Sequence, residues 1–209
     1  MLPVGDHRPD LPDRPVLEAR SVSYHREGRT RVRQVSLQAG PGELLMLCGP
    51  QGAGTSALLR LLAGGLIPDA GRVLHDGRAP RPDQGLEVVH GAPAARRALV
   101  TPPEPGRAPV LLLDEPTRGA PDAEHDRLVA ECRRWAEAGA VVVLTSHDLP
   151  LVARHAHTAA LLVAGRLIAW ASPAVAFVPA VRLLGYGGSP TAGGAPGPGV
   201  DRGSLLATG

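Results

Sequence analysis

The chain has 209 residues, a hydrophobic fraction of 44% and a formal net charge of +2, enough length for one domain with a sizeable core. A charge that small, carried by scattered arginines, excludes the basic stripe that a nucleic-acid surface requires. All 22 basic residues are arginine and only five residues are aromatic, so the core has to be built from Leu, Val and Ala.

Residues 1–15 hold four prolines among alternating charges and read as a flexible lead, without the basic-then-apolar order of a signal peptide. Residues 16–24 and 31–37 have β-type content with partial alternation about a turn at Gly28. Gly40-Pro41-Gly42 then turns the chain into the apolar run 44–48, a buried strand. That strand feeds Gly49-Pro50-Gln51-Gly52-Ala53-Gly54-Thr55-Ser56, after which residues 56–63 have a helical pattern. Strand, glycine loop and helix in that order form a phosphate cradle, G-x-x-x-x-G-K-[ST]. In that pattern the lysine adds charge on the β/γ-phosphates and the Ser or Thr after it coordinates Mg²⁺. Here Ser56 is present, but Thr55 stands where the lysine belongs. The loop therefore describes a nucleotide site with one charge removed.

Residues 68–77 read as turn, strand, turn. Residues 78–106 are rich in Pro, Gly and Arg, and 94–100 is the one helical stretch their pattern supports. Residues 110–113 form a second buried strand, ending in Asp114-Glu115-Pro116-Thr117. A carboxylate at the C-terminal end of a buried parallel strand lies on the edge where such sheets bind ligands. Asp114 with Ser56 is the candidate pair for Mg²⁺, and Glu115 the group to orient or deprotonate an attacking water. Two carboxylates that merely end a strand in solvent are the bland alternative, which the upstream glycine loop disfavours.

A helix over 122–138 follows, then a third strand over 140–145 ending in Ser146-His147-Asp148. His147 reaches the same sheet edge, where it can hydrogen-bond a γ-phosphate or a water. A short helix over 149–154 and strands near 160–163 and 166–170 complete the pattern. Strands alternating with helices predict an α/β fold whose mostly parallel sheet is covered on both faces. Residues 159–187 are apolar, but Arg166, Arg182, Pro173 and Pro179 interrupt them, so no run of about 18 residues spans a membrane. The expectation is a cytoplasmic protein without direct membrane insertion. Cys48 and Cys132 share no metal or redox spacing and read as reduced, buried thiols. Residues 188–209 read as a disordered Gly/Pro-rich tail.

Over residues 16–177 the chain resembles the ATP-binding subunit of an ABC transporter. Leu113-Asp114-Glu115-Pro116-Thr117 matches that family's Walker B segment and catalytic glutamate, and His147, 33 residues after Asp114, fits its switch histidine. Val35-Ser36-Leu37, Pro41-Gly42-Glu43, Ile67-Pro68-Asp69-Ala70-Gly71, the Asp76-Gly77 turn and Gly165-Arg166-Leu167-Ile168 are typical as well. The resemblance implies a P-loop NTPase-like core over 16–187 with an antiparallel β part at its N-terminal end. It implies ATP and Mg²⁺ as ligands, Gly49 to Ser56 as the phosphate loop, and Glu115 and His147 as the catalytic pair. It further implies a second ABC-type ATPase subunit, paired head-to-tail as a homo- or heterodimer, and a membrane-spanning permease.

The chain departs from that pattern in several places. Arg26 aligns with the aromatic residue that stacks on adenine, with Tyr24 two residues earlier; a guanidinium can also stack on a ring. Arg118-Gly119-Ala120-Pro121 follows Walker B in place of serine-glycine-leucine-aspartate. Val89-His90-Gly91-Ala92-Pro93 is the remnant of the signature sequence. Only 65 residues separate Gly49 from Asp114, so the helical subdomain shrinks to a remnant over 78–106, with Gln84 a candidate for its linking glutamine. Arg60 is a candidate replacement cation, against the alternative of a solvated helix face. Three readings stay open: a degenerate ATP-binding subunit with weak binding and poor hydrolysis, a non-catalytic regulatory protein on the same core, and a soluble P-loop NTPase of another family.

Overall fold

The computed structural model describes residues 15–80, 86–99 and 109–177. The lead over 1–14, Gln84 and the tail over 188–209 lie outside the described residues.

Two sheets organise the chain. The first is antiparallel, in the order β2-β1-β4, with β1 at Leu17–Arg26, β2 at Arg29–Ala39 and β4 at Ala70–His75. The second has the order β5-β6-β7-β3-β8-β9: β5 at Val88–His90, β6 at Val110–Asp114, β7 at Val141–Ser146, β3 at Leu44–Cys48, β8 at Thr158–Val163 and β9 at Arg166–Ala171. Its first five strands are parallel and β9 returns antiparallel along the edge.

The all-apolar strands follow from burial on both faces, since alternate side chains of one strand enter different cores. Leu44, Met46 and Cys48 of β3 join Leu113 and Leu144 against α3 (Asp122–Glu137) and α4 (Leu149–His155). Leu45 and Leu47 face the other way and meet α1 (Thr55–Leu62) and the antiparallel sheet, through Leu58, Leu62, Val22 and Val35. On α1 the buried Leu58, Leu59, Leu61 and Leu62 form one stripe at helical spacing. Asp148 caps α4 by accepting the Leu151 N–H at 2.9 Å. Burial pushes the Cys48 and Cys132 thiols up to about 12, which keeps both protonated and inert.

The predicted fold class holds: the sheet is mostly parallel, helices cover both faces and the N-terminal part is antiparallel. One segment differs from expectation. Between α1 and β6 the described residues contain β4, β5 and the eight-residue helix α2 (Gly91–Ala98). Val89 and His90, read from the sequence as part of a signature remnant, end a parallel strand that the sequence pattern did not predict, and its register with β6 sets His90 opposite Asp114.

His157 ties the start of β3 to its surroundings. Its Nδ1 accepts the Leu44 N–H at 2.9 Å, so that bond exists only while Nδ1 is unprotonated. Burial lowers the ring's pKa, and the Arg133 charge lowers it further against the opposing effect of Glu137. A depressed folded-state pKa contributes stability that is present above the unfolded value, about 6.5, and is lost as pH falls through the folded value. Urea melts at pH 7.5 and 5.5 should show this loss. It should shrink in His157→Asn, whose amide oxygen keeps an acceptor and cannot charge.

Candidate functional site

Strands β6, β7 and β3 are neighbours and run parallel, so their C-terminal ends open on one edge. The glycine loop leaves β3 there and ends in α1. Gly54 caps α1 without any side-chain hydrogen bond, and the first turn carries no acidic residue. The leading N–H groups of a helix have no partner within it, so this end presents donors and a positive dipole end to solvent. Residues 49–53 form the turn before it, where the Ala53 N–H donates to Pro50 O at 2.9 Å.

The loop is wedged from behind. The Gly165 N–H, in the β8–β9 turn, donates to Ala53 O at 2.9 Å, and the Arg33 N–H donates to Gly165 O at 2.7 Å. Gly54 has φ +104°, and a Cβ on it would lie 2.1 Å from the Arg31 carbonyl oxygen. The Gly165-Arg166 motif and the phosphate loop are thus parts of one packed unit.

Ser56 Oγ donates to Asp114 Oδ1 at 2.8 Å, joining the loop helix to the end of β6. Thr145 Oγ1 donates to the same oxygen at 2.8 Å and accepts the Glu115 N–H at 2.8 Å. Glu115 has φ +50°, a region that non-glycine residues visit only where surrounding structure holds them, and the Thr145 bond supplies that hold. His147 Nδ1 lies 3.1 Å from Glu115 Oε2. The His147 side chain is 74% exposed and that of Glu115 only 17%, so the pair offers an accessible ring above a sheltered carboxylate.

Gly54, Asp114 and His147 lie at or beyond the C-terminal ends of the parallel neighbours β3, β6 and β7. Gly52, Gly54, Thr55 and Ser56 line a cavity of about 410 Å³, together with Tyr24, Arg26, Arg31 and Arg60. Arg26 is exposed and its Nε is 3.3 Å from a carboxylate oxygen of Glu27, which offsets part of its charge. Gly49, Pro50 and Gln51 belong to the same loop but do not line this cavity. A second cavity of about 590 Å³ lies against Glu115, Arg118 and His147. Sequence reasoning did not find Thr145 or His90. Thr145 was legible only as a polar residue ending an apolar strand, and His90 depends on a strand pairing that no local pattern announces.

These residues fit a nucleotide with a divalent cation: uncapped amides for phosphates, a hydroxyl and a carboxylate in direct contact for the metal, and a cavity within the ordinary range for small ligands. No described helix is long and apolar enough to cross a membrane.

Comparison with known proteins agrees with this arrangement. The family model described as ABC transporter matches residues 32–104. The hemin import ATP-binding protein HmuV of Streptomyces coelicolor is 31% identical over 81% of this chain and 82% of its own length. Two ABC transporter ATP-binding relatives, from Streptomyces coelicolor and Streptomyces avermitilis, are 31% and 32% identical over 78% and 74% of this chain. The match covers only 39% and 38% of those two proteins. Among solved structures, cbiO1 from Clostridium perfringens, part of the ABC transporter complex cbiONQ, superposes with a TM-score of 0.61 at 17% identity, over 82% of this chain and 96% of that one. ABC ATP-binding domains bind ATP, generally with Mg²⁺, and work with permeases and other ATPase subunits. The chain belongs to the ABC transporter ATP-binding family.

Proposed function

We propose that this chain is the ATP-binding subunit of an ABC-type transport system, weak in nucleotide binding and poor in hydrolysis. The observation that carries this reading is the 2.8 Å contact of Ser56 Oγ with Asp114 Oδ1 beside the uncapped start of α1. Ser56 and Asp114 hold Mg²⁺, which neutralises phosphate charge when bound. The loop 49–56 holds the phosphates through its amides. Glu115 orients water and takes its proton, and His147 positions Glu115 and reaches the γ-phosphate side. Arg26, with Tyr24 beneath it, covers the adenine. Arg31 and Arg60, which line the same cavity, restore part of the positive field that Thr55 gives up.

Each site is shared with a second ABC-type ATPase subunit, which faces the exposed His147. The pair acts on a membrane-spanning permease from the cytoplasmic side. The regulatory reading keeps one specific support, the replacement of lysine by Thr55 together with Arg118-Gly119-Ala120-Pro121 after Walker B. Membership in the ABC family removes the reading as a P-loop NTPase of another family.

Photolabelling with 8-azido-ATP and peptide mapping tests the adenine position. Label competed by ATP should fall on the peptide that contains Tyr24 and Arg26. Competed label confined to any other segment would contradict the proposed nucleotide orientation.

A further inference from the structure

Asp114 spends its two carboxylate oxygens differently. Oδ1 accepts from both Ser56 Oγ and Thr145 Oγ1, each at 2.8 Å, which uses the two lone pairs of that atom. Oδ2 faces His90 Nδ1 at 3.3 Å. The sheet enforces this approach, because β5 pairs parallel with β6 and sets His90 in register with Asp114. The Asp114 side chain is 9% exposed and that of His90 54%, so a nearly buried carboxylate stands beside a half-exposed imidazole.

We propose that His90 is a ligand of the cation that accompanies the nucleotide, and that it shifts the site's preference from Mg²⁺ toward Mn²⁺ and Co²⁺. This rests on the ATP-binding reading above and goes beyond it. A cation that reaches Asp114 meets Oδ2, which among the described residues accepts no hydrogen bond and faces only the His90 ring. The 3.3 Å between Oδ2 and Nδ1 is close to the roughly 3 Å that separates neighbouring ligands on an octahedral cation with bonds of about 2.1 Å. Neutral imidazole offers the Nδ1 lone pair when its proton sits on Nε2, and the half-exposed ring leaves Nε2 to water. Mg²⁺ takes oxygen ligands almost exclusively, whereas imidazole nitrogen strengthens binding along the series from Mn²⁺ through Co²⁺. Ser56 Oγ, water and phosphate oxygens complete the shell.

Pulsed electron paramagnetic resonance on the full chain with Mn²⁺ and ATP tests this. With ¹⁵N-labelled protein and unlabelled ATP, the bound Mn²⁺ should show coupling to a directly coordinated ¹⁵N. That coupling should vanish in His90→Gln, and in His90→Ala should the longer side chain disturb the strand. The ratio of Mn²⁺-supported to Mg²⁺-supported ATP affinity should fall about tenfold in the same variants. Mn²⁺·ATP bound without protein nitrogen coupling, or coupling that survives both substitutions, overturns the assignment and leaves the ATP reading standing. Absence of any Mn²⁺-dependent or Mg²⁺-dependent ATP binding overturns both.

Discussion

Replacing Thr55 with lysine raises the affinity for Mg·ATP by about 10- to 100-fold, the equivalent of about 1.5–3 kcal/mol for a hydrogen bond to a charged group. Thr55 is the first residue of α1 and lines the same cavity as Gly52, Gly54 and Ser56, so a longer side chain there starts beside the proposed phosphate site. The surrounding machinery is in place: the amides are uncapped, and Ser56 and Asp114 are in contact. Turnover should rise with affinity, because charge stabilisation is the largest part of phosphoryl-transfer catalysis. Equilibrium dialysis of both proteins against ATP with Mg²⁺ measures the change. An unchanged affinity would mean that the loop has lost its phosphate geometry for reasons other than the missing charge.

The second large effect is Gly54→Ala, which should lower stability by about 2–4 kcal/mol and abolish nucleotide binding. A Cβ at this position collides with the Arg31 carbonyl oxygen at 2.1 Å, and the obstacle is backbone of β2, which cannot swing aside. The φ of +104° adds strain that an alanine cannot relieve. In a domain of this size the melting temperature should fall by roughly 5–15 °C. Gly77→Ala is the control. Its φ is +75°, but nothing lies within 4 Å of the added Cβ, so only the backbone cost of about 1 kcal/mol applies. Equal losses in the two variants would show that the wedge of β2 behind the loop is not what holds it.

The segments that were legible in sequence are those whose burial is complete. Residues 44–48, 110–113 and 141–144 are uninterrupted apolar runs because both faces of the sheet are covered; the first runs into the glycine loop and the other two end in polar residues at the ligand edge. Strand β5 was not legible: three residues between Pro/Gly-rich stretches carry no period, and only pairing with β6 makes them a strand. His90 therefore surfaced as part of a worn loop motif instead of a neighbour of Asp114. The role of Thr145 is similar in kind, since its two hydrogen bonds cross from β7 to the end of β6. The turn at Gly28 and the turn-strand-turn ending at Asp76-Gly77 followed from local pattern, whereas the antiparallel part was implied by the family resemblance. What pattern cannot supply is the wedge formed by Arg31, Gly54 and Gly165, three backbone positions from distant parts of the chain.

Calorimetric titration of the purified chain with ATP, in Mg²⁺ and again in EDTA, bears most directly on whether Ser56 and Asp114 form a working nucleotide site. Saturable binding in the submillimolar to millimolar range is expected, weaker in EDTA and weaker again in Ser56→Ala. No saturation at several millimolar ATP, or binding indifferent to both Mg²⁺ and Ser56→Ala, would contradict it.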